Sequence, residues 1–245
     1  MKYAFLTIVG LSAILGAAQA QQKGDPKATE VWTPVPAKVD PGSATKAPSD
    51  AIVLFDGSNL NQWESAKGGA PAEWKVADNA FTVKPGSGDI RTKEKFGDCQ
   101  LHIEWRTPSV VQGEGQGRGN SGIFFMERYE LQVLDNYDNV TYSNGQAGSI
   151  YKQGIPLVNV CRKPGEWQTY DVIFTAPKFN ADGSLASAAR ITVLQNGVLV
   201  QNNFELKGQT EYIGKPTYKQ HGPGSIQLQD HGNEGGFRNI WIRKL

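Results

Sequence analysis

In Tyr129-Glu130-Leu131-Gln132-Val133-Leu134-Asp135, large apolar residues alternate with an acid and an amide. Successive side chains of a strand point to opposite faces, so this period predicts one face in the core and one face carrying Glu130 and Gln132. The same alternation recurs in Leu101-His102-Ile103-Glu104-Trp105-Arg106 and in Ile226-Gln227-Leu228-Gln229, which runs into Asp230-His231-Gly232. Solvent-facing strand positions favour Thr, Lys and Ser; His, Glu, Arg and Gln opposite a buried face are the mixture that a polyhydroxylated ligand calls for. If the strands bearing Glu130 and Glu104 are neighbours, the two acids stand about 5 Å apart, close enough to couple their titrations and to share general acid and base work. His231 directly follows a site-bearing strand and is the third candidate catalytic group, because a neutral imidazole trades protons near neutral pH. Arg106, Gln132, Gln229, His102 and Asp230 are the candidate substrate contacts. Each has a structural alternative: Glu130 paired with Arg106 or Arg128, Glu104 neutralised by its own strand neighbours, His231 tying a turn through Asp230.

Positioning these groups requires strands, and strand signals follow one another from Ile52-Val53-Leu54-Phe55 to the C-terminus with turn residues between them. No segment sustains a helical period. Trp74-Lys75-Val76 and Phe81-Thr82-Val83 flank Asp78-Asn79, and Ile191-Thr192-Val193-Leu194 and Val198-Leu199-Val200 flank Asn196-Gly197, the strongest hairpin signal in the chain. The expected fold is all-β, with two antiparallel sheets packed face to face. The Gly-rich segment Gln112 to Asn120 lies between two site-bearing strands; no helix follows it, so it reads as a mobile loop at the mouth of a cleft rather than a phosphate cradle. Trp105 falls on the core face, which leaves Trp63 as the freer tryptophan for stacking on a sugar.

Residues 1–20 carry Lys2, an apolar run from Ala4 to Ala18 and the small-x-small step Ala18-Gln19-Ala20, the pattern of a secretory signal peptide. The run is shorter than the roughly 20 residues that cross a bilayer, and Gln21 stands where a lipoprotein needs Cys, so an exported chain without a membrane anchor is expected. Residues 21–49 are rich in Pro, Lys, Ala and Ser and read as an extended arm that Trp32 and Val35 could pin; residues 50–245 form the domain. The whole chain has 25 basic and 24 acidic residues, and losing Lys2 with the signal leaves 24 of each. That balance, with no nucleotide or zinc motif, sets nucleic-acid partners aside. Two cysteines, Cys99 and Cys161, are too few for a disulfide scaffold, and their spacing leaves a bridge open. Asp135 to Asn139 holds enough oxygens for calcium but lacks the Gly-centred spacing of a known loop, so no cofactor is called for.

Several motifs together resemble one family. Leu54-Phe55-Asp56-Gly57 with Leu60 and Trp63, Gly119-Asn120-Ser121-Gly122-Ile123-Phe124, the Tyr129 to Asp135 strand, Pro164-Gly165-Glu166-Trp167-Gln168-Thr169-Tyr170-Asp171, Leu228-Gln229-Asp230-His231-Gly232 and Phe237 to Arg243 are similar, in order, to the 3-keto-disaccharide hydrolase domain. The resemblance implies a concanavalin A-like two-sheet antiparallel jelly-roll sandwich, bacterial export, and cleavage of glycosides already oxidised at C3 by a separate oxidoreductase. It implies a base for the acidified C2 hydrogen and an acid for the departing C1 oxygen. Two carboxylates would equally suit an ordinary retaining glycosidase, and the same polar face without turnover would be a carbohydrate-binding module.

Overall fold

The computed structural model describes residues 24–245, so the expected signal peptide lies outside the described residues. The chain divides into two units, Met1–Lys38 and Val39–Leu245. In the described part of the first, Asp25 caps a short 3-10 turn at Pro26–Thr29 by accepting from the Lys27 amide, and Trp32 and Val35 are exposed. Val39 to Ser49, expected in the arm, belongs to the second unit, where Ser49 bonds Asp40 and Asp50 holds the Arg243 guanidinium.

The second unit is the expected antiparallel sandwich. One sheet has eight strands in the order β13 (Val198–Glu205), β12 (Arg190–Gln195), β9 (Gln168–Thr175), β6 (Cys99–Arg106), β15 (Gly236–Lys244), β4 (Ala80–Thr82) and β3 (Lys75–Ala77), with β1 (Ile52–Phe55) also paired to β15. The other has five, in the order β2 (Trp63–Ser65), β5 (Ile90–Thr92), β14 (Gln227–Leu228), β7 (Ser121–Phe125) and β8 (Tyr129–Val133). A small ribbon pairs β10 (Lys178–Phe179) with β11 (Leu185–Ser187). Both expected hairpins form, β3 to β4 and β12 to β13, with Asp78, Asn79 and Asn196 at positive φ and Gly197 at 79°, the backbone that tight two-residue turns demand.

The core lies between the sheets. Leu101, Ile103 and Trp105 of β6 and Tyr170, Val172 and Phe174 of β9 meet Ile123 and Phe125 of β7 and Tyr129, Leu131 and Val133 of β8. Trp63 is 1% exposed and donates its indole N–H to the Leu54 carbonyl, so it is a core residue and not a sugar platform. It joins Phe55, Trp74, Phe81 and Phe237 in an aromatic cluster whose edge-to-face, tilted and stacked pairs fill that end of the sandwich. Tyr170 reaches across the core and donates its hydroxyl to the Gln132 carbonyl at 2.8 Å, which fixes the height of β8 against the larger sheet. Cys99 and Cys161 are both free thiols, the first buried in this core and the second beside the Gln195 amide.

Candidate functional site

Strand register assembles a polar face on the side of the five-stranded sheet that turns away from the core. Glu64 pairs with Arg91, Arg91 with Gln227, Gln227 with Phe124 and Phe124 with Glu130, so these five side chains form one row across all five strands. Beyond β8 the row gains Tyr151, because Ile150 bridges Leu131 and the Tyr151 amide donates to the Glu130 carbonyl. Two residues along each strand lies a second row: Asp89, Gln229, Gly122 and Gln132, with Gln229 tied to Gly122 through the main chain and Gly122 paired with Gln132.

Glu130 is the outstanding group of this face. It is 5% exposed, and no donor among the described residues reaches its carboxylate. Burial, reinforced by the negative charge of Asp89, pushes its pKa up to about 8. The carboxyl occupies space that exists because position 122 has no side chain: a Cβ there would sit 2.7 Å from Glu130 Oε1. Its backbone is held on both sides, the amide donating to Thr210 Oγ1 at 2.9 Å and the carbonyl accepting from Tyr151.

Across the face, Asp89 accepts from the Gln227 amide at 2.7 Å and from the Asp230 main-chain N–H at 2.8 Å. Its own pKa is raised by burial, against the pull of those two hydrogen bonds. The strands that carry Asp89 and Glu130 are separated by β14 and β7, so their backbones lie about 14 Å apart; the Glu130 carboxyl reaches back over Gly122 and feels the charge of Asp89. The Gln229 side-chain amide is engaged by no described residue and faces that space. Gln132, fully buried, donates to Gln116 Oε1 at 3.0 Å, while its own Oε1 has no partner.

The structure separates the residues that the sequence grouped. Glu130, Gln132, Gln229, Asp230 and His231 come together on or beside one face. Glu104, His102 and Arg106 lie on β6 in the other sheet, on the far side of the sandwich, so Glu104 and Glu130 are not strand neighbours and do not share a proton. There Glu104 accepts from Arg238 at 2.6 Å and from Asn239 at 2.8 Å, His102 Nδ1 meets Asp171 at 2.6 Å, and Arg106 stacks on Trp167. Glu104→Gln is accordingly expected to leave turnover unchanged, measured as kcat/KM beside the Glu130 variant. Asp230 spends its carboxylate on the Gly88 and Gly232 amides, tying the turn that follows β14, and His231 is exposed at the rim within electrostatic reach of Asp89.

The Gly-rich loop is tethered rather than loose. Gln116 donates to Thr141 and to the Gly145 carbonyl, Asn139 exchanges two hydrogen bonds with Gly115, and Arg118 clamps Asp135 at 2.7 Å. Oxygens of the Asp135 to Asn139 run are likewise engaged within the protein: Asp135 accepts from Arg118 and the Tyr137 amide, and Asn136 Oδ1 from the Ala147 amide. Among the described residues no group of three or more His, Cys, Asp or Glu is placed to hold a metal.

Residues 50–243 match the model of the 3-keto-alpha-glucoside-1,2-lyase-like domain. The chain belongs to that family. It is 26% identical to a 3-keto-disaccharide hydrolase of Bacteroides thetaiotaomicron over 94% of this chain and 91% of the relative. A crystal structure from Parabacteroides distasonis, described as a candidate glycosyl hydrolase, superposes with a TM-score of 0.87 at 55% identity, covering 90% of this chain and 97% of that one. A second Parabacteroides distasonis structure of the same description, at 21% identity and a TM-score of 0.60 over 80% and 94% of the two chains, shows the shared fold.

Sequence reasoning missed Asp89, Arg91, Gly122 and Tyr151. Asp89-Ile90-Arg91 has the right alternation, but three residues are too few to separate it from a turn. Gly122 and Tyr151 matter only through what register sets beside them. Arg91 closes the end of the first row between Glu64 and Glu127, at 2.9 and 2.8 Å, and those two carboxylates hold its guanidinium above its ordinary pKa.

Proposed function

We propose that this protein is an exported enzyme that cleaves the glycosidic bond of sugars carrying a ketone at C3, on the open face of the five-stranded sheet. The observation that carries the reading is Glu130: a buried carboxyl with no hydrogen-bond donor among the described residues and a pKa raised to about 8, so that it keeps its proton at neutral pH. The family's name and those of the relatives support the same chemistry. The export reading rests on residues 1–20 alone, and cleavage after Ala20 is its mark.

A C3 ketone acidifies the hydrogen on C2. Asp89, whose burial raises its pKa and so strengthens it as a base while two hydrogen bonds orient its carboxylate, takes that proton; the resulting enolate pair forms the C1–C2 double bond and expels the C1 oxygen, to which Glu130 gives its proton. The alcohol departs and an unsaturated 3-keto sugar remains. Water adding across that double bond returns the free 3-keto sugar, so elimination followed by hydration sums to hydrolysis. Gln229 supplies an amide N–H for the enolate oxygen.

The test is product release from a 3-keto-glucoside and from its unoxidised parent. Cleavage of the keto-sugar alone, with C2 hydrogen exchange into heavy water, is the expected result. Equal cleavage of the parent would mean an ordinary glycosidase, and binding without product would mean a carbohydrate-binding module. With Glu130 as the acid, kcat/KM is expected to be level towards neutral pH and to fall as pH rises through about 8, where the free enzyme loses that proton.

A further inference from the structure

Both main-chain groups of Glu130 are bonded by segments that carry exposed tyrosines. The segment bonded to its carbonyl carries Tyr151 and, nine residues earlier, Tyr142, whose hydroxyls meet at 2.7 Å. Tyr142 packs its ring against Gly145 so closely that a Cβ there would lie 2.1 Å from the ring. The segment bonded to the Glu130 amide, at Thr210, runs on to Tyr212 and Ile213, which are 71% and 82% exposed. Lys152 joins the two segments: its ammonium lies 4.2 Å above the Tyr212 ring and 5.6 Å from the Tyr151 ring, and it donates to the Tyr212 carbonyl at 2.6 Å. The result is a shelf of tyrosine rings around one cation, beginning at the side chain next to Glu130.

The reading of Glu130 as the acid that protonates the departing oxygen makes this shelf the place of the leaving group, and the inference rests on that reading. We infer that the shelf is a leaving-group subsite built for an aromatic ring, so that aryl glycosides, oxidised at C3 for turnover, are the substrates it fits best. A second sugar would call for free donors and acceptors. Here most polar atoms are already engaged: the Tyr142 and Tyr151 hydroxyls bond each other, Lys152 holds the Tyr212 carbonyl, and Glu211 accepts from Gln209, while the Tyr212 hydroxyl has no partner among the described residues. What the shelf offers a ligand is mainly ring face and apolar edge, with a cation beneath that favours a phenol as it gains negative charge.

Calorimetry with phenyl and methyl glucosides tests the shelf whether or not either is cleaved. The wild-type protein is expected to bind the phenyl glucoside on the order of tenfold more tightly than the methyl glucoside, the worth of one or two aromatic contacts. Tyr212→Ala should remove that preference and Tyr212→Phe should keep it; Tyr212 is mostly exposed, so the fold is expected to survive both. Equal affinity for the two glucosides, or a preference that persists in Tyr212→Ala, would overturn the inference. Cleavage of a 3-keto-glucoside without any phenyl preference would leave the proposed reaction standing and remove only the aryl subsite.

Discussion

Glu130→Gln is expected to lower kcat/KM on a 3-keto-glycoside by about 10²–10⁴-fold, the usual contribution of one positioned acid or base, while ligand binding persists. The amide fills the same buried space and can donate a hydrogen bond, but it cannot hand a proton to a departing oxygen. The loss should be graded by the leaving group: greatest for an alkyl alcohol or a sugar, which needs the proton, and smaller for a phenol, which leaves readily as its anion. A uniform loss across leaving groups would mean that Glu130 does something other than protonate that oxygen.

The same substitution has a stability signature. In the fold Glu130 holds its proton up to about pH 8, whereas its ordinary value is 4.5, so between those limits the native state binds a proton that the unfolded chain releases. A folded pKa above the unfolded one means that stability is fully present below about 4.5 and is lost as pH rises through about 8, on the order of 5 kcal/mol at most. Glu130→Gln carries no titrating group there. Its Tm relative to wild type is expected to climb steadily from pH 5 to about 8 and then level off, which a thermal melt series would read directly. A gap that does not change with pH would show that the carboxyl is ionised in the fold.

Gly122→Ala is the second large effect. Position 122 lies on the floor between Gln229 and Glu130, and a Cβ would come 2.7 Å from Glu130 Oε1 and 2.9 Å from the Phe124 ring. Gly122 is not among the glycines at positive φ, so alanine meets no backbone strain. The clash falls on the Glu130 side chain and on the edge of the half-buried Phe124 ring, both on the side of the sheet away from the core, and both yield by moving. The fold should therefore survive while the acid is displaced, and a misplacement of about 1 Å is expected to reduce kcat on the order of 10²-fold with a much smaller change in Tm. An unchanged kcat would place the reacting sugar away from this floor.

Alternation of apolar and polar residues was enough to establish the all-β class, the two hairpins and the pairing of Glu130 with Gln132 on one face, because each depends only on a period of two and on turn chemistry within a few residues. The family motifs extended that to a jelly roll and an expected reaction class. The tertiary structure decided which polar face carries the proposed site. The β6 and β8 segments read identically, yet β6 joins the eight-stranded sheet and turns Glu104 and His102 to its outer side, where Arg238 and Asp171 hold them, while β8 sets Glu130 in a buried hollow with nothing to hold its charge. Side-chain alternation fixes which residues of one strand share a face. Which strands lie side by side, and so which carboxyl meets Asp89, Gly122 and Tyr151, is a matter of long-range register that the alternation of any one strand does not contain.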